Sequence, residues 1–273
     1  MREAGNPGFA QVEVRRWRTG SAGEAGWDTA PDLVAEEVPV ALTFNSIPHV
    51  VMLATPLDLV DMGYGFTFTE ALVSAPEQIR AAELHAGEAG LEVAMSVPQE
   101  QLTAMLDRRR NIMGRTGCGV CGAETIEDAI RRPAPVAAGG AVSHDALLRA
   151  LVALREGQVL NARTGSFHAA AWVDWTGHIL LVREDVGRHN ALDKVIGALL
   201  RAGADRQAGF LLVTSRASYE MVQKAATAGV RMLVAVSAPT ALAVRLASET
   251  GLTLVGFARE NQQVVYTHPE RLI

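Results

Sequence analysis

Apolar residues recur along this chain with two different periods, and the change of period divides it. Residues 210–214, 232–236 and 252–257 are continuous apolar runs. Between them, 219–228 and 241–250 carry apolar residues at helical spacing. That succession predicts βαβαβ, and unbroken apolar strands between amphipathic helices predict a parallel sheet covered on both faces. Upstream, runs at 169–174 and 178–183 flank the turn Trp175-Thr176-Gly177, and 190–200 sets Ala191, Leu192, Val195, Ile196 and Leu199 on one helical face.

The first half is less regular. Two apolar runs between 34 and 55 flank Asn45-Ser46-Ile47-Pro48 and predict two strands joined by a turn. Pro56 opens a helix through Val73 that is interrupted near Gly63-Tyr64-Gly65. Strand signals follow between 79 and 97, and Leu102, Met105 and Leu106 have helical spacing within 100–110. Residues 1–30, rich in Gly and Ala around the alternating run 12–17, read as an edge strand and a mobile leader. Residues 131–140, with Pro133, Pro135 and a Gly pair, read as a linker, and Ser143 as a helix cap. The expected division is a leader at 1–30, an α+β subdomain at 31–140 carrying a Gly-rich loop at 111–122, and an α/β domain at 141–273.

Composition narrows the classes. With 49% apolar and 20% charged residues in 273, disordered and fibrous classes are excluded. A net charge of −5 repels polyanions, so no nucleic-acid partner is expected. No run approaches the roughly 18 to 20 apolar residues of a membrane span, and the N-terminus lacks the apolar core of a signal peptide. These features predict a cytoplasmic protein that does not bind membranes.

Parallel sheets bind ligands beyond the carboxyl ends of their strands, where the next helix offers free N–H groups. The post-strand segments are 184–190, 215–218, 237–240 and 257–261. They bring Arg188, His189, Ser215, Arg216 and Arg259 toward one rim, which suits a phosphate-bearing ligand. Asp185 to Lys194 packs five charged or imidazole groups around a helix start, more than capping requires. His168 sits beside a glycine turn at a strand entrance, either as a structural residue or as an anion donor.

The only cysteines, Cys118 and Cys121, lie in Arg115-Thr116-Gly117-Cys118-Gly119-Val120-Cys121-Gly122. Arg108, Arg109, Arg110 and Arg115 favour the thiolate, and the glycines let a partner approach the sulfur. Two thiols cannot complete a zinc site without histidines. The deaminase pattern fails because His268-Pro269-Glu270 lies downstream and Gly117 replaces the proline. Disulfide exchange would place the pair at a helix start after a strand, and dinucleotide binding needs a preceding apolar strand; here a basic stretch precedes it.

Asn45 to Pro56, the Cys-Gly-Val-Cys-Gly loop, the glycine-histidine turn at 164–170, Asp185 to Lys194 and Ser237-Ala238-Pro239-Thr240 together resemble the formate dehydrogenase accessory sulfurtransferases of the FdhD/NarQ family. The resemblance spans about 37–268. It departs from the family pattern at Ser46 and Ser166, where glycine is expected, and at Val264, where asparagine is. It implies a three-layer, cytidine-deaminase-like α/β fold without zinc chemistry or any catalytic metal of its own. It implies a sulfurtransferase that takes persulfide sulfur from a cysteine desulfurase and passes it to a molybdenum or tungsten bis-molybdopterin guanine dinucleotide bound as substrate, for the formate dehydrogenase catalytic subunit. By position Cys118 matches the persulfide cysteine and Cys121 its partner. Phe257, Ala258, Arg259, Glu260, Asn261 and Gln262 match the cofactor-binding segment. Asp185 or Asp193 then becomes a candidate acceptor for guanine N–H groups. The resemblance also implies a homodimer. A non-enzymatic cofactor chaperone and a dithiol-disulfide oxidoreductase are the alternative functions.

Overall fold

The structure is a computed structural model that describes residues 8–19, 25–87, 90–113, 131–260 and 262–273. Strands β1 (Phe9–Thr19) and β2 (Ala25–Ala35) form an antiparallel two-stranded arm. The expected boundary at 30/31 therefore falls inside a strand. A second sheet has the order β4-β3-β6-β5, with β3 (Val38–Phe44), β4 (Ile47–Ala54), β5 (Ala81–Gly87) and β6 (Gly90–Ser96). Asn45 and Ser46 make the β3–β4 turn with φ of 48° and 68°. Two positive φ values suit a tight hairpin, which explains why glycine would be at home at position 46.

The third sheet has six strands in the order β12-β11-β10-β9-β7-β8. These are β7 (His168–Asp174), β8 (Ile179–Asp185), β9 (Gly209–Val213), β10 (Met232–Ala235), β11 (Thr253–Arg259) and β12 (Gln262–Thr267). Strands β9, β10 and β11 are mutually parallel, whereas β7 is antiparallel to both β8 and β9, and β12 to β11. Two reversals bring β8 back into the direction of β9. The carboxyl ends of β8, β9, β10 and β11 thus share one edge with the amino ends of β7 and β12.

Alternate side chains of this sheet enter different cores. Ala169, Ala171, Val173, Phe210, Leu212 and Val234 pack on helix α3 (His144–Gly157). Ser143 caps α3, its Oγ accepting from Ala146 N at 3.2 Å. Ala170, Trp172, Leu211, Val213 and Leu233 enter a larger core with α5 (Arg188–Arg201), α6 (Tyr219–Thr227) and α7 (Ala241–Thr250). Between α3 and β7 lies the short α4 (Asn161–Thr164). Helix α1 (Leu59–Thr69) and Leu102 and Met105 of α2 (Gln99–Met113) extend that core to Val40, Leu42, Phe44, Val93 and Met95 of the four-stranded sheet. The larger sheet is thus flanked by helices on both faces, as expected, with parallel pairing confined to its middle.

Helix α1 runs through the glycines expected to interrupt it. An ideal Cβ on Gly65 would lie 1.9 Å from Asp193 O, and one on Gly197 1.8 Å from Asp61 O. These glycines let α1 and α5 cross with their backbones in contact. The propensity cost of a helical glycine, about 1 kcal/mol, is offset by packing and by ion pairs at the crossing. Asp61, 4% exposed, meets Arg183 Nη2 at 2.8 Å and also pairs with Arg201.

Candidate functional site

At the shared edge lies a cavity of about 720 Å³, within the usual range for small-molecule and cofactor sites. His168, Thr214, Val236, Ala258, Arg259 and Glu260 line it from the strand ends, and Arg155, Gln158 and Asn161 from α3 and its exit. Glu184 anchors the start of α4 behind Asn161: its carboxylate oxygens accept from Leu160 N and Asn161 N, each at 2.8 Å. A bulge in the β11–β12 pairing falls between Gly256 and Arg259, and Phe257 holds φ of 49° there. Bulges re-aim side chains, and this one sits where Arg259 and Glu260 leave the sheet. Arg155 and Glu260 pair at 2.9 Å while staying exposed. Anionic groups of a ligand would therefore meet Arg155, Arg259 and His168. Gln262 pairs with Arg259 in the strand register at the same corner.

The charged stretch after β8 is divided between two tasks. Asp185 is 0% exposed, and its Oδ2 accepts from Lys194 Nζ at 2.6 Å and from Thr55 N at 3.0 Å. Its Oδ1 accepts from Gly187 N at 2.7 Å and Asn190 Nδ2 at 3.0 Å. Asn190 also donates to Leu53 O at 2.9 Å. Asp193 is likewise buried, accepting from Thr69 Oγ1 at 2.8 Å and Lys224 Nζ at 2.9 Å. Burial pushes the Asp193 carboxyl up, and its carboxylate neighbours Asp193 and Glu70 hold Lys224 above the usual lysine value despite burial. The two aspartates expected to read guanine instead fasten the four-stranded sheet and α1 to the larger sheet. Their carboxylates are used up inside the protein.

Arg188 and His189 remain at the edge, half-buried on the first turn of α5, whose N-cap Gly187 supplies no side chain. His189 Nε2 lies 2.7 Å from Glu220 Oε2 at the start of α6, and this close contact with His189 holds the Glu220 carboxyl below its usual value. The Nε of Arg188 is buried without a hydrogen-bond partner among the described residues. Burial, then the charges of Arg188 and His189, push the His168 imidazole below its ordinary value. His168 thus lies within the field of Arg188 and His189. Arg216 is exposed, whereas Ser215 is buried with its Oγ donating to Arg216 O at 3.1 Å. A buried, orphaned guanidinium nitrogen beside free helix N–H groups is a donor set suited to phosphate.

Cys118, Cys121 and Asn261 lie outside the described residues. The chain re-enters at Arg131, whose Nη1 donates to Glu70 Oε2 at 2.7 Å and whose carbonyl accepts from the Tyr219 hydroxyl. Tyr219 precedes Glu220, the partner of His189. Among the described residues, no group of three or more His, Cys, Asp or Glu side chains is placed to hold a metal ion, and no helix is long and apolar enough to cross a membrane. No motif or spacing points to Arg155, Gln158, Asn161 and Thr214. Arg155 sits on an ordinary amphipathic helix, and only the sheet order brings its end over the cavity.

Comparison with known proteins fits this architecture. A profile of the FdhD/NarQ family matches residues 35–273. A protein of Cupriavidus necator named sulfur carrier protein FdhD is 49% identical over 270 residues, covering 99% of this chain and 92% of its own. Proteins of the same name from Xanthomonas campestris pv. campestris and Bordetella petrii are 50% and 48% identical, covering 97% and 96% of this chain and 93% and 94% of theirs. A crystal structure described as a formate dehydrogenase accessory protein from Desulfotalea psychrophila superposes with a TM-score of 0.74 at 24% identity, covering 96% of this chain and 99% of that one. The chain belongs to the FdhD/NarQ family.

Proposed function

We propose that this protein is a sulfur carrier that serves formate dehydrogenase maturation, accepting persulfide sulfur from a cysteine desulfurase on Cys118 and delivering it to a molybdenum or tungsten bis-molybdopterin guanine dinucleotide held as substrate at the cationic edge. The relatives named sulfur carrier protein FdhD support the carrier role at about half identity over nearly the whole chain. The observation that carries the reading is the concentration of anion donors at the shared edge of the larger sheet. The donors at the edge fit an anionic dinucleotide: Arg188, with its orphaned Nε, along with His189 and Arg216 on one flank, and Arg155, His168 and Arg259 around the cavity.

The chemistry balances without an external oxidant. The Cys118 thiolate attacks the outer sulfur of the donor persulfide; the donor S–S bond breaks, a new one forms, and the donor cysteine leaves as thiolate. Attack by the Cys121 thiolate on the inner sulfur then releases sulfide to the bound acceptor. The resulting Cys118–Cys121 disulfide is reopened by an external dithiol. The protein's other residues bind: they neutralise phosphate charge and orient the acceptor.

The test is anaerobic incubation with desulfurase and labelled cysteine, followed by intact mass and peptide mapping. The relay predicts one added sulfur on Cys118, lost on addition of acceptor, and none in Cys118→Ser. A carrier of intact cofactor would gain no sulfur, and a disulfide exchanger would turn over a model disulfide instead. Restoration of formate dehydrogenase activity by both Cys118→Ser and Cys121→Ser would overturn the relay.

A further inference from the structure

Carboxylates near the shared edge fall into two groups. Asp185, Asp193 and Glu184 are buried, and each accepts from two or more donors inside the protein. Glu220 and Glu260 differ in both respects. Their side chains are 60% and 61% exposed, and each has one ionic partner among the described residues. Glu220 Oε2 lies 2.7 Å from His189 Nε2, and Glu260 Oε1 lies 2.9 Å from Arg155 Nη2. The first pair stands where α5 and α6 begin; the second joins two elements that line the cavity, α3 and the β11–β12 corner.

Exposed ion pairs stabilise a fold little, because water screens them and holding two long side chains in one geometry costs entropy. Their effect on an anionic ligand is larger, since each carboxylate neutralises a donor that the ligand would use. Contact with His189, then the charges of Lys224 and Arg188, keep the Glu220 carboxyl below its usual value against the opposing effect of burial, so it rests ionised on that donor at neutral pH. Lys224 itself is already held inside the protein by Asp193 and Glu70. What Glu220 covers is the edge.

We infer that Glu220 and Glu260 are internal counter-anions of the cationic edge: each covers its cation until a phosphate-bearing ligand displaces it, and each returns when that ligand leaves. This rests on the reading of the edge as the seat of an anionic dinucleotide and adds a selectivity to it. A small monoanion such as formate or acetate offers the same group as the one it would displace, and the tethered carboxylate has the higher effective concentration. A pyrophosphate group brings more charge and more acceptor oxygens than the carboxylate it displaces, so it wins the exchange. On departure of the ligand, the carboxylates recover their cations without drawing ions from solution.

Calorimetric titration of the full chain with guanosine diphosphate and with inorganic pyrophosphate tests it. Glu220→Gln and Glu260→Gln keep the shape of each side chain and remove its charge. Each is expected to raise pyrophosphate affinity about three- to fivefold, and the two together about tenfold, the size set by one weak ion pair apiece. Added sodium formate should weaken pyrophosphate binding in the double variant and not in the parent, a competition that a change in fold stability would not produce. Unchanged pyrophosphate affinity in the double variant overturns the inference while leaving the edge a nucleotide site. A fall in guanosine diphosphate affinity in Glu260→Gln, with pyrophosphate affinity unchanged, also overturns it, since Glu260 would then read the base. If neither the parent nor the double variant binds either probe, the reading of the edge falls together with the inference.

Discussion

Replacing Asp185 by alanine separates a latch from a ligand contact. The carboxylate takes four donors: Lys194 Nζ at 2.6 Å, Thr55 N at 3.0 Å, Gly187 N at 2.7 Å and Asn190 Nδ2 at 3.0 Å. Both it and Lys194 are 0% exposed. Without it the ammonium keeps only the carbonyls of Thr55, at 3.1 Å, and Glu184, at 3.5 Å. Removing one member of a buried pair costs about 3–5 kcal/mol, a large share of the roughly 5–15 kcal/mol of a typical domain. Removing both charges, with Lys194→Met added, leaves mainly the Thr55 and Gly187 N–H groups unmatched, at about 1–3 kcal/mol each. The double variant is therefore expected to recover stability over Asp185→Ala. Urea unfolding followed by tryptophan fluorescence measures the differences, and calorimetric titration with a guanine nucleotide measures binding. If Asp185→Ala cost less than about 1 kcal/mol while abolishing nucleotide affinity, Asp185 would be a ligand-reading residue and the latch would be refuted.

His168 supplies a pH signature. Its folded pKa lies below the ordinary value of 6.5, so the unfolded chain binds the proton first, and its contribution to stability falls as pH drops below 6.5. An anionic ligand reverses the preference, so nucleotide affinity should rise several-fold between pH 7.5 and 5.5, with proton uptake seen in calorimetry; His168→Gln should flatten the profile. Gly197→Ala places a methyl group 1.8 Å from Asp61 O and should cost about 3 kcal/mol in thermal unfolding. Gly26→Ala, with nothing within 4 Å, is the control expected to change stability little. Arg131→Ala should slow sulfur delivery in single-turnover assays while leaving nucleotide affinity within about twofold, because its contacts are to Glu70 and Tyr219 rather than to the cavity.

The parts of the fold that could be read in the sequence are those where one physical rule dominates. Runs such as 210–213 are apolar throughout because both faces of β9 are buried, and every residue of Gly209–Val213 is. The Asn45-Ser46 turn could be read because positive φ restricts the residues that tolerate it. Gly63 and Gly65 misled because glycine has two uses, chain breaking and close approach, and the second applies here, Gly63 against Val93 and Met95 of β6 and Gly65 against the backbone of α5. The length of the N-terminal arm was missed for a related reason: β2 pairs with β1 through backbone groups, and its sequence, with Gly26, Asp28 and Pro31, has low strand propensity.

The cationic edge was readable for Arg188, His189, His168 and Arg259 because the strand directions force their segments together, but the same reasoning wrongly placed Asp185, Asp193 and Ser215 there. A charged residue beside a helix start looks alike whether it faces solvent or a second sheet, and the choice depends on the packing of segments more than a hundred positions apart, such as Thr55 with Asp185. The density of charge in Asp185 to Lys194 has a common cause. Burying Asp185, Asp193, Lys194 and Lys224 is tolerable only when every donor and acceptor finds a partner, and that requirement fixes how α1 and the smaller sheet sit on α5. The same turn carries Arg188 and His189, which lie half-buried at the edge. The network that joins the two sheets thereby also holds the turn that carries Arg188 and His189, so, under the proposed function, substitutions such as Asp185→Ala are expected to disturb binding only to the extent that they loosen the seam.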